Sequence, residues 1–195
     1  MRLESSPTQN SALQNNRITK RNEMKTIIIL AHPDLSQSHI NKARIETLQQ
    51  TNPEIEIHNL YQKYPDWNID VAAEQKLLES GDRVILEYPF QWYSTPPLLK
   101  KWIDEVWLQG WAYGAGGDKL KGKEFGVVIS TAGISEAYTE TVFGTVDELL
   151  KPMESTIKFV GANYIGHNAF LGAYTPDAQE RLAKDMDAYL AFITQ

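Results

Sequence analysis

Cysteine is missing from all 195 residues. Its absence removes disulfides, zinc–thiolate sites, iron–sulfur clusters and thiol catalysis together, and fits a reducing, cytoplasmic setting. No apolar run approaches the about 20 residues that a membrane-spanning helix needs. Positive charge is in short supply: 19 Lys and Arg stand against 25 Asp and Glu, giving a formal net charge of −6 and a pI near 5.3. Neutralising a phosphate backbone requires a basic face, so nucleic acid is not expected as a partner. The G-x-G-x-x-G fingerprint of dinucleotide-binding folds is also lacking.

What remains is an ordinary globular composition, 42% hydrophobic and 10% aromatic. The length suits one domain, or one domain with a tail. Residues 1–23 are polar and nearly devoid of apolar side chains. They are expected to form a disordered N-terminal extension or to be a start-site artefact, and without an apolar h-region they are no secretory signal. Residues 24–195 then form the folded domain, with no repeat and no internal linker.

Lys25 to Ala31 reads as a strand buried on both faces, with Thr26-Ile27-Ile28-Ile29-Leu30 uninterrupted and rich in β-branched residues. His32-Pro33-Asp34 ends it, and Ser36 or Ser38 can cap a helix running to about Gln50. A strand, a polar turn and a helix N-terminus gather free N–H groups and the positive end of the helix dipole, which makes an anion site. Without the glycine fingerprint, a mononucleotide phosphate suits it better than a pyrophosphate. Further strands are expected at Glu54–His58, Arg83–Tyr88 and Phe125–Ser130, and within Asn163–Leu171 at Asn163–Gly166 with an apolar continuation. Helices are expected at Val71–Glu79, at Val142–Val160 in two pieces broken at Pro152, and after Thr175-Pro176-Asp177, where Leu182, Met186, Tyr189, Leu190 and Ile193 form an apolar stripe. His167, near a strand end, is structural or pocket rim. The sequence Gly117-x4-Gly122-Lys123 imitates a phosphate-binding loop, but Glu124 follows where Ser or Thr belongs and the segment precedes a strand.

Five strands alternating with helices mean an α/β fold with a parallel sheet, whose ligands bind at the carboxyl ends of the strands. The stretch from Pro89 to Trp107, PFQWYSTPPLLKKWIDEVW, lies at such an end. Ser94 or Thr95 can cap its helix, Pro96 and Pro97 fall in the first turn, and Leu98, Leu99, Trp102, Ile103, Val106 and Trp107 recur at helical spacing. Two large aromatics beside an amide, Gln91-Trp92-Tyr93, are costly to leave at a strand end without a task.

This stretch resembles the PxQWYSxPPLLKxWIDxV segment of flavodoxin-like NAD(P)H:quinone oxidoreductases. Among them it is most similar to the small flavoproteins that serve as ancillary subunits of glutathione-gated potassium efflux systems. Ala31-His32-Pro33 with Ser38-x-x-Asn41, YQKYPDWNIDVAAEQ from Tyr61, and GWAYGAGGDKLKGK from Gly110 fit the same group. The resemblance spans roughly residues 24–195. It implies a flavodoxin-like fold with a five-stranded parallel sheet, FMN as cofactor (related enzymes hold FAD), NAD(P)H as hydride donor and a quinone as acceptor in a ping-pong reaction. His32, Ser38, His39, Ile40 and Asn41 would contact flavin phosphate and ribityl. Phe90, Gln91, Trp92 and Tyr93 would lie along the ring, with backbone N–H groups on N5 and O4. Ser130, Thr131, Ala132 and Gly133 replace the family's Thr-Thr-Gly-Gly at the pyrimidine edge, and Ala132 matters only if a positive φ is required there.

Tyr138 matches a tyrosine that aids hydride transfer in mammalian-type quinone reductases, but Gly144 stands where their histidine follows. Trp111 and Tyr113 are expected to flank the pocket. Tyr61, Tyr64 and Trp67 suit core lids or an interface equally, and the family's homodimers tip them towards interface. The resemblance also carries a second reading, a regulatory subunit that docks from the cytoplasm on a membrane potassium efflux antiporter. A one-electron flavodoxin carrier fits less well, because such carriers lack the QWYSTPPLLK pocket.

Overall fold

The computed structural model describes residues 24–195, so the expected N-terminal extension lies outside the described residues. In chain order the elements are β1 (Thr26–Leu30), α1 (His39–Thr51), β2 (Glu56–Asn59), the short α2 (Leu60–Lys63), α3 (Val71–Ser80), β3 (Arg83–Pro89), α4 (Pro97–Val106), β4 (Glu124–Ser130), α5 (Val146–Phe159), β5 (Asn163–Phe170) and α6 (Ala178–Thr194). The strands form one parallel sheet in the order β2-β1-β3-β4-β5.

The unbroken apolar run of β1 is explained by what covers it. Ile27 and Ile29 face a core shared with Leu78, Leu98, Trp102, Leu150 and Ile157, which belong to α3, α4 and α5. Ile28 and Leu30 face a second core with Ile45 and Leu48 of α1 and Tyr189 and Ile193 of α6. Alternation along a strand sends neighbouring side chains to opposite faces, and here both faces are covered by helices. Strand order reverses beside β1, between β1 and β3, so the crevice lies at the carboxyl ends of these strands.

Four local expectations are corrected. The edge strand β2 starts at Glu56 rather than Glu54, because a turn from Asn52 to Ile55 occupies the preceding residues. The helix α5 is continuous through Pro152, starting at Val146 behind a capping box between Thr145 and Glu148. The proline removes one ladder bond at a cost of about 3 kcal/mol, and burying Leu150 and Ile157 on either side gains about 1.5–3 kcal/mol each. Neither Ser94 nor Thr95 caps α4; Pro96 is the N-cap, and its carbonyl accepts from the N–H groups of Leu99 and Lys100. Trp111 and Tyr113 sit at the opposite end of the molecule from the crevice: Trp111 donates its indole N–H to Glu79 (2.8 Å) at the end of α3, and Tyr113 packs on Phe159 at the end of α5. Their segment folds back so tightly that a side chain at Gly117 would lie 2.2 Å from the Tyr113 carbonyl.

Tyr64 belongs to the core. Its hydroxyl donates to the buried Glu74 carboxylate (2.6 Å), which also accepts from the Trp102 indole (2.8 Å) and pairs with His58 Nε2 (2.8 Å). Burial pushes the Glu74 carboxyl up, but His58, Tyr64 and Trp102 together hold it below its ordinary value. The cluster pins α3 to α4 and to the edge strand. Tyr61 accepts a hydrogen bond from the Leu98 N–H (3.4 Å), and Trp67, edge-on to Tyr61, remains partly exposed.

Candidate functional site

A cavity of about 300 Å³ opens where β1, β3, β4 and β5 end. Its first wall is the β1–α1 connection, with His32, Ser38, His39 and Ile40. Ser38 is the N-cap of α1 and its Oγ accepts from the Asn41 N–H (3.1 Å). The remaining N–H groups of the first turn have no intrahelical partner and face a dipole that favours negative charge. His32 Nδ1 accepts from the Asp34 N–H (3.2 Å), which leaves Nε2–H as a donor in the neutral ring. Burial lowers the His32 pKa and outweighs the attraction of Asp34, so the ring is neutral at pH 7. Asp34 directs its carboxylate at Ser36, accepting from its N–H (3.0 Å) and its hydroxyl (2.6 Å).

The second wall is the β3–α4 connection, with Pro89, Phe90 and Gln91 in the cavity. Gln91 and Ser94 form a closed pair, N–H to carbonyl in both directions at 3.0 and 2.9 Å. Between them Trp92 and Tyr93 both adopt left-handed backbone, with φ of 48° and 61°. Two consecutive positive φ values describe a type I′ turn, a geometry that favours Asn-Gly and not two aromatics. Trp92 is 94% exposed. The backbone N–H groups of Trp92 and Tyr93 take no backbone partner among the described residues. Neither side chain lines the cavity itself; they stand on its rim, with Tyr93 edge-on to Phe90 (6.4 Å) and tilted against Phe143 (6.1 Å).

The third wall is the β4–α5 connection, with Ser130, Thr131 and Ala132. Ala132 has no positive φ, so its methyl group is accommodated without strain. Gly133 lies beyond the cavity and is needed for another reason: a side chain there would approach the Tyr138 ring to 3.0 Å. Tyr138 is thus stacked over Gly133 and outside the cavity wall. The loop is braced by the β5–α6 connection through Gly172 N–H to Gly133 O and Ala173 N–H to Thr131 O, both 2.7 Å.

Asn41 is placed differently from the expected direct contact. It is fully buried behind the wall, donating Nδ2 to Ser130 Oγ (3.0 Å), while its Oδ1 is buried without a partner. It ties the first wall to the third. Sequence reasoning missed Ala173 and the 78% exposed Tyr174 on the β5–α6 connection, which complete the cavity; read as the approach to a helix, they carry no signal of their own. His167 lies within β5 facing Asp147 (3.4 Å), away from the cavity, and is structural.

Under the cavity, on the α1/α6 face of the sheet, lies a buried ionic group. Arg44 is fully buried, donating to Asp185 (2.6 Å) and Asn168 (2.7 Å) and lying over the Tyr189 ring (4.8 Å). Tyr189 donates its hydroxyl to Glu87 (2.9 Å), two residues before Pro89. Burial pushes the Glu87 carboxyl up to about 7, against the pull of Arg44 and Tyr189.

The family described as having a flavodoxin-like fold matches residues 24–193. The chain is 39% identical over 173 residues to the uncharacterized NAD(P)H oxidoreductase YdeQ of Bacillus subtilis, covering 88% of this chain and 87% of that one. Among solved structures it superposes with a TM-score of 0.82 on general stress protein 14 of Treponema denticola in complex with FMN, at 38% identity, covering 88% of this chain and 99% of that one. It also superposes with a TM-score of 0.75 on an NADPH-quinone reductase from P. pentosaceus, at 33% identity, covering 87% and 98%.

Proposed function

The chain belongs to the flavodoxin-like NAD(P)H oxidoreductase family, and from that premise we propose that it holds FMN in the cavity and reduces a quinone with a hydride taken from NAD(P)H. One observation carries the reading: the N-terminal turn of α1, with its free N–H groups, and the strand end Pro89–Gln91 that leads into the left-handed Trp92-Tyr93 turn line one cavity. The helix N-terminus suits a phosphate, and the turn offers backbone N–H groups without backbone partners for the edge of a planar ring. One helix N-terminus serves one phosphate, which suits FMN better than FAD. The residues present therefore fit the group.

Bound there, the flavin supplies a centre that accepts a hydride from NAD(P)H and gives it to a quinone, which takes up one proton to become the hydroquinone. The chain contributes placement and charge. His32 Nε2–H and the N–H groups of His39 and Ile40 would hold the phosphate, with Ser38 fixing the turn. The Trp92 and Tyr93 N–H groups would be donors to the ring, with Phe90 and Gln91 beside it. Ser130, Thr131 and Ala132 would border the pyrimidine side, while Gly133 and the Tyr138 ring packed on it brace that loop from outside the cavity. Asn41 acts through Ser130, as a positioning residue. No side chain here serves as a nucleophile. The enzyme works as a cytoplasmic homodimer in this reading.

The regulatory alternative gains no specific observation. Tyr64 of the YQKYPDW stretch is committed to Glu74, and Trp111 of the GWAYG stretch to Glu79.

Two measurements test the proposal. Purified protein incubated with FMN is expected to show a bound-flavin spectrum and NAD(P)H-dependent reduction of 1,4-benzoquinone; failure of both overturns it. His32→Ala removes one neutral donor to a charged phosphate, and FMN affinity is expected to fall about tenfold or more by fluorescence titration. An unchanged Kd would remove His32 from the phosphate site.

A further inference from the structure

A second cavity, of about 180 Å³, lies between α4 and α5. It adjoins the first, because Phe90 lines both. Its inner walls are apolar, Tyr93 from the strained turn, Ile103 of α4, and Leu149, Leu150 and Met153 of α5, while the exposed Lys100–Asp104 pair of α4 and Thr156 of α5 form its solvent-facing rim. Thr95 also lines it, and the Thr95 hydroxyl is buried with no hydrogen-bond partner.

We propose that this cavity is a specificity subsite that takes the fused apolar ring of a bicyclic quinone reduced at the neighbouring cleft. The inference rests on the quinone reductase reading above. Size sets the class of occupant. An apolar cavity of about 150 Å³ in another protein holds benzene, so this one accommodates a single six-membered ring but not a long prenyl tail. Its chemistry agrees. Apolar walls reward burial of a hydrocarbon ring, and the unpartnered Thr95 hydroxyl is a donor for a quinone carbonyl beside that ring. As mere packing the arrangement is unfavourable, since a buried unpaired hydroxyl costs stability. Phe90 and Tyr93 stand between the two spaces, so the turn that presents donors to one cavity also shapes the entrance to the other.

Met153 provides the test, because it is half-buried on the far wall and can be enlarged or truncated without touching the phosphate site. FMN-loaded wild type, Met153→Phe and Met153→Ala are compared for the ratio of kcat/KM with 2-methyl-1,4-naphthoquinone to that with 1,4-benzoquinone. Filling the cavity is expected to lower the ratio about tenfold or more, the scale on which an apolar pocket discriminates a missing or excess carbon group. Truncation to alanine is expected not to lower it. Calorimetric titration with 2-naphthol, which undergoes no reduction, is expected to show about tenfold weaker binding to the Met153→Phe protein. A ratio and a naphthol affinity that stay at wild-type values in Met153→Phe overturn the subsite while leaving quinone reduction standing. If the wild type reduces neither quinone, the functional reading falls, and the naphthol titration still decides the cavity.

Discussion

Replacing Trp92-Tyr93 by Asn-Gly will make the protein more stable and nearly inactive. Both residues hold left-handed backbone, at φ of 48° and 61°. That conformation costs a residue with a side chain about 1–2 kcal/mol, and Asn-Gly relieves most of it in a type I′ turn. Against this gain stand the lost ring contacts of Tyr93 with Phe90 and Phe143, worth about 0.5–1.5 kcal/mol each. Trp92 is 94% exposed and forfeits almost nothing. The balance favours the double variant by about 1 kcal/mol, a rise in Tm of about 2–4 °C for a chain of this size. Quinone reduction is expected to fall at least about a hundredfold, because in the proposed function this rim positions both substrates. Strain of this kind persists where the surroundings over-determine it, commonly at a functional site. A lower Tm would mean that the aromatic contacts outweigh the strain. Wild-type turnover would mean that the two side chains take no part in the reaction.

That turn also marks where sequence reading stops. The Ile-rich β1 and the strand-to-helix passage at Pro89 are legible because each is a local pattern with one physical solution; the sequence narrows the cap of α1 to Ser36 or Ser38, and the structure selects Ser38. The order of the sheet followed, since five strands alternating with helices leave few arrangements. The handedness at Trp92 and Tyr93 was not legible, because the residues that normally announce a type I′ turn are absent and the surrounding elements impose it. Asn41 is placed at the flavin by the family resemblance of Ser38-x-x-Asn41, whereas on α1 its side chain is buried against Ser130. Trp111 and Tyr113 looked like pocket residues because glycine and aromatics coincide in binding loops. Their segment runs from the end of α4 to the start of β4, and those ends lie away from the crevice. Pro152 was read as a break because propensity is local, while the burial that overrides it is tertiary.

The buried Glu87 gives the largest expected effect on stability, and it is one that depends on pH. Glu87 is inaccessible to solvent, with the Arg44 guanidinium and the Tyr189 hydroxyl facing it from α1 and α6, and Asp185 on the far side of Arg44. Its carboxyl titrates at about 7 in the fold, against an ordinary value of 4.5. Below about pH 4.5 the carboxyl is protonated in both folded and unfolded chains, and burial of the neutral group costs least. Between these values the unfolded chain releases a proton that the folded chain retains, so stability declines as pH rises. Above pH 7 the loss is complete, and at 1.36 kcal/mol per pH unit it amounts to about 3 kcal/mol. Glu87→Gln cannot ionise, yet its carbonyl still accepts from Tyr189. Denaturant unfolding of both proteins from pH 5 to 8 is expected to give a difference that moves in favour of the glutamine variant by roughly 2.5 kcal/mol across the window, with the steepest change at about pH 6, midway between the two titrations. The change with pH carries the test, since the amide also alters contacts with Arg44 at every pH. Parallel curves would show that Glu87 is already ionised in the folded protein at pH 5. Arg44 would then have to neutralise it fully, and the ionic group under the cavity would be a fixed charge pair rather than a proton store.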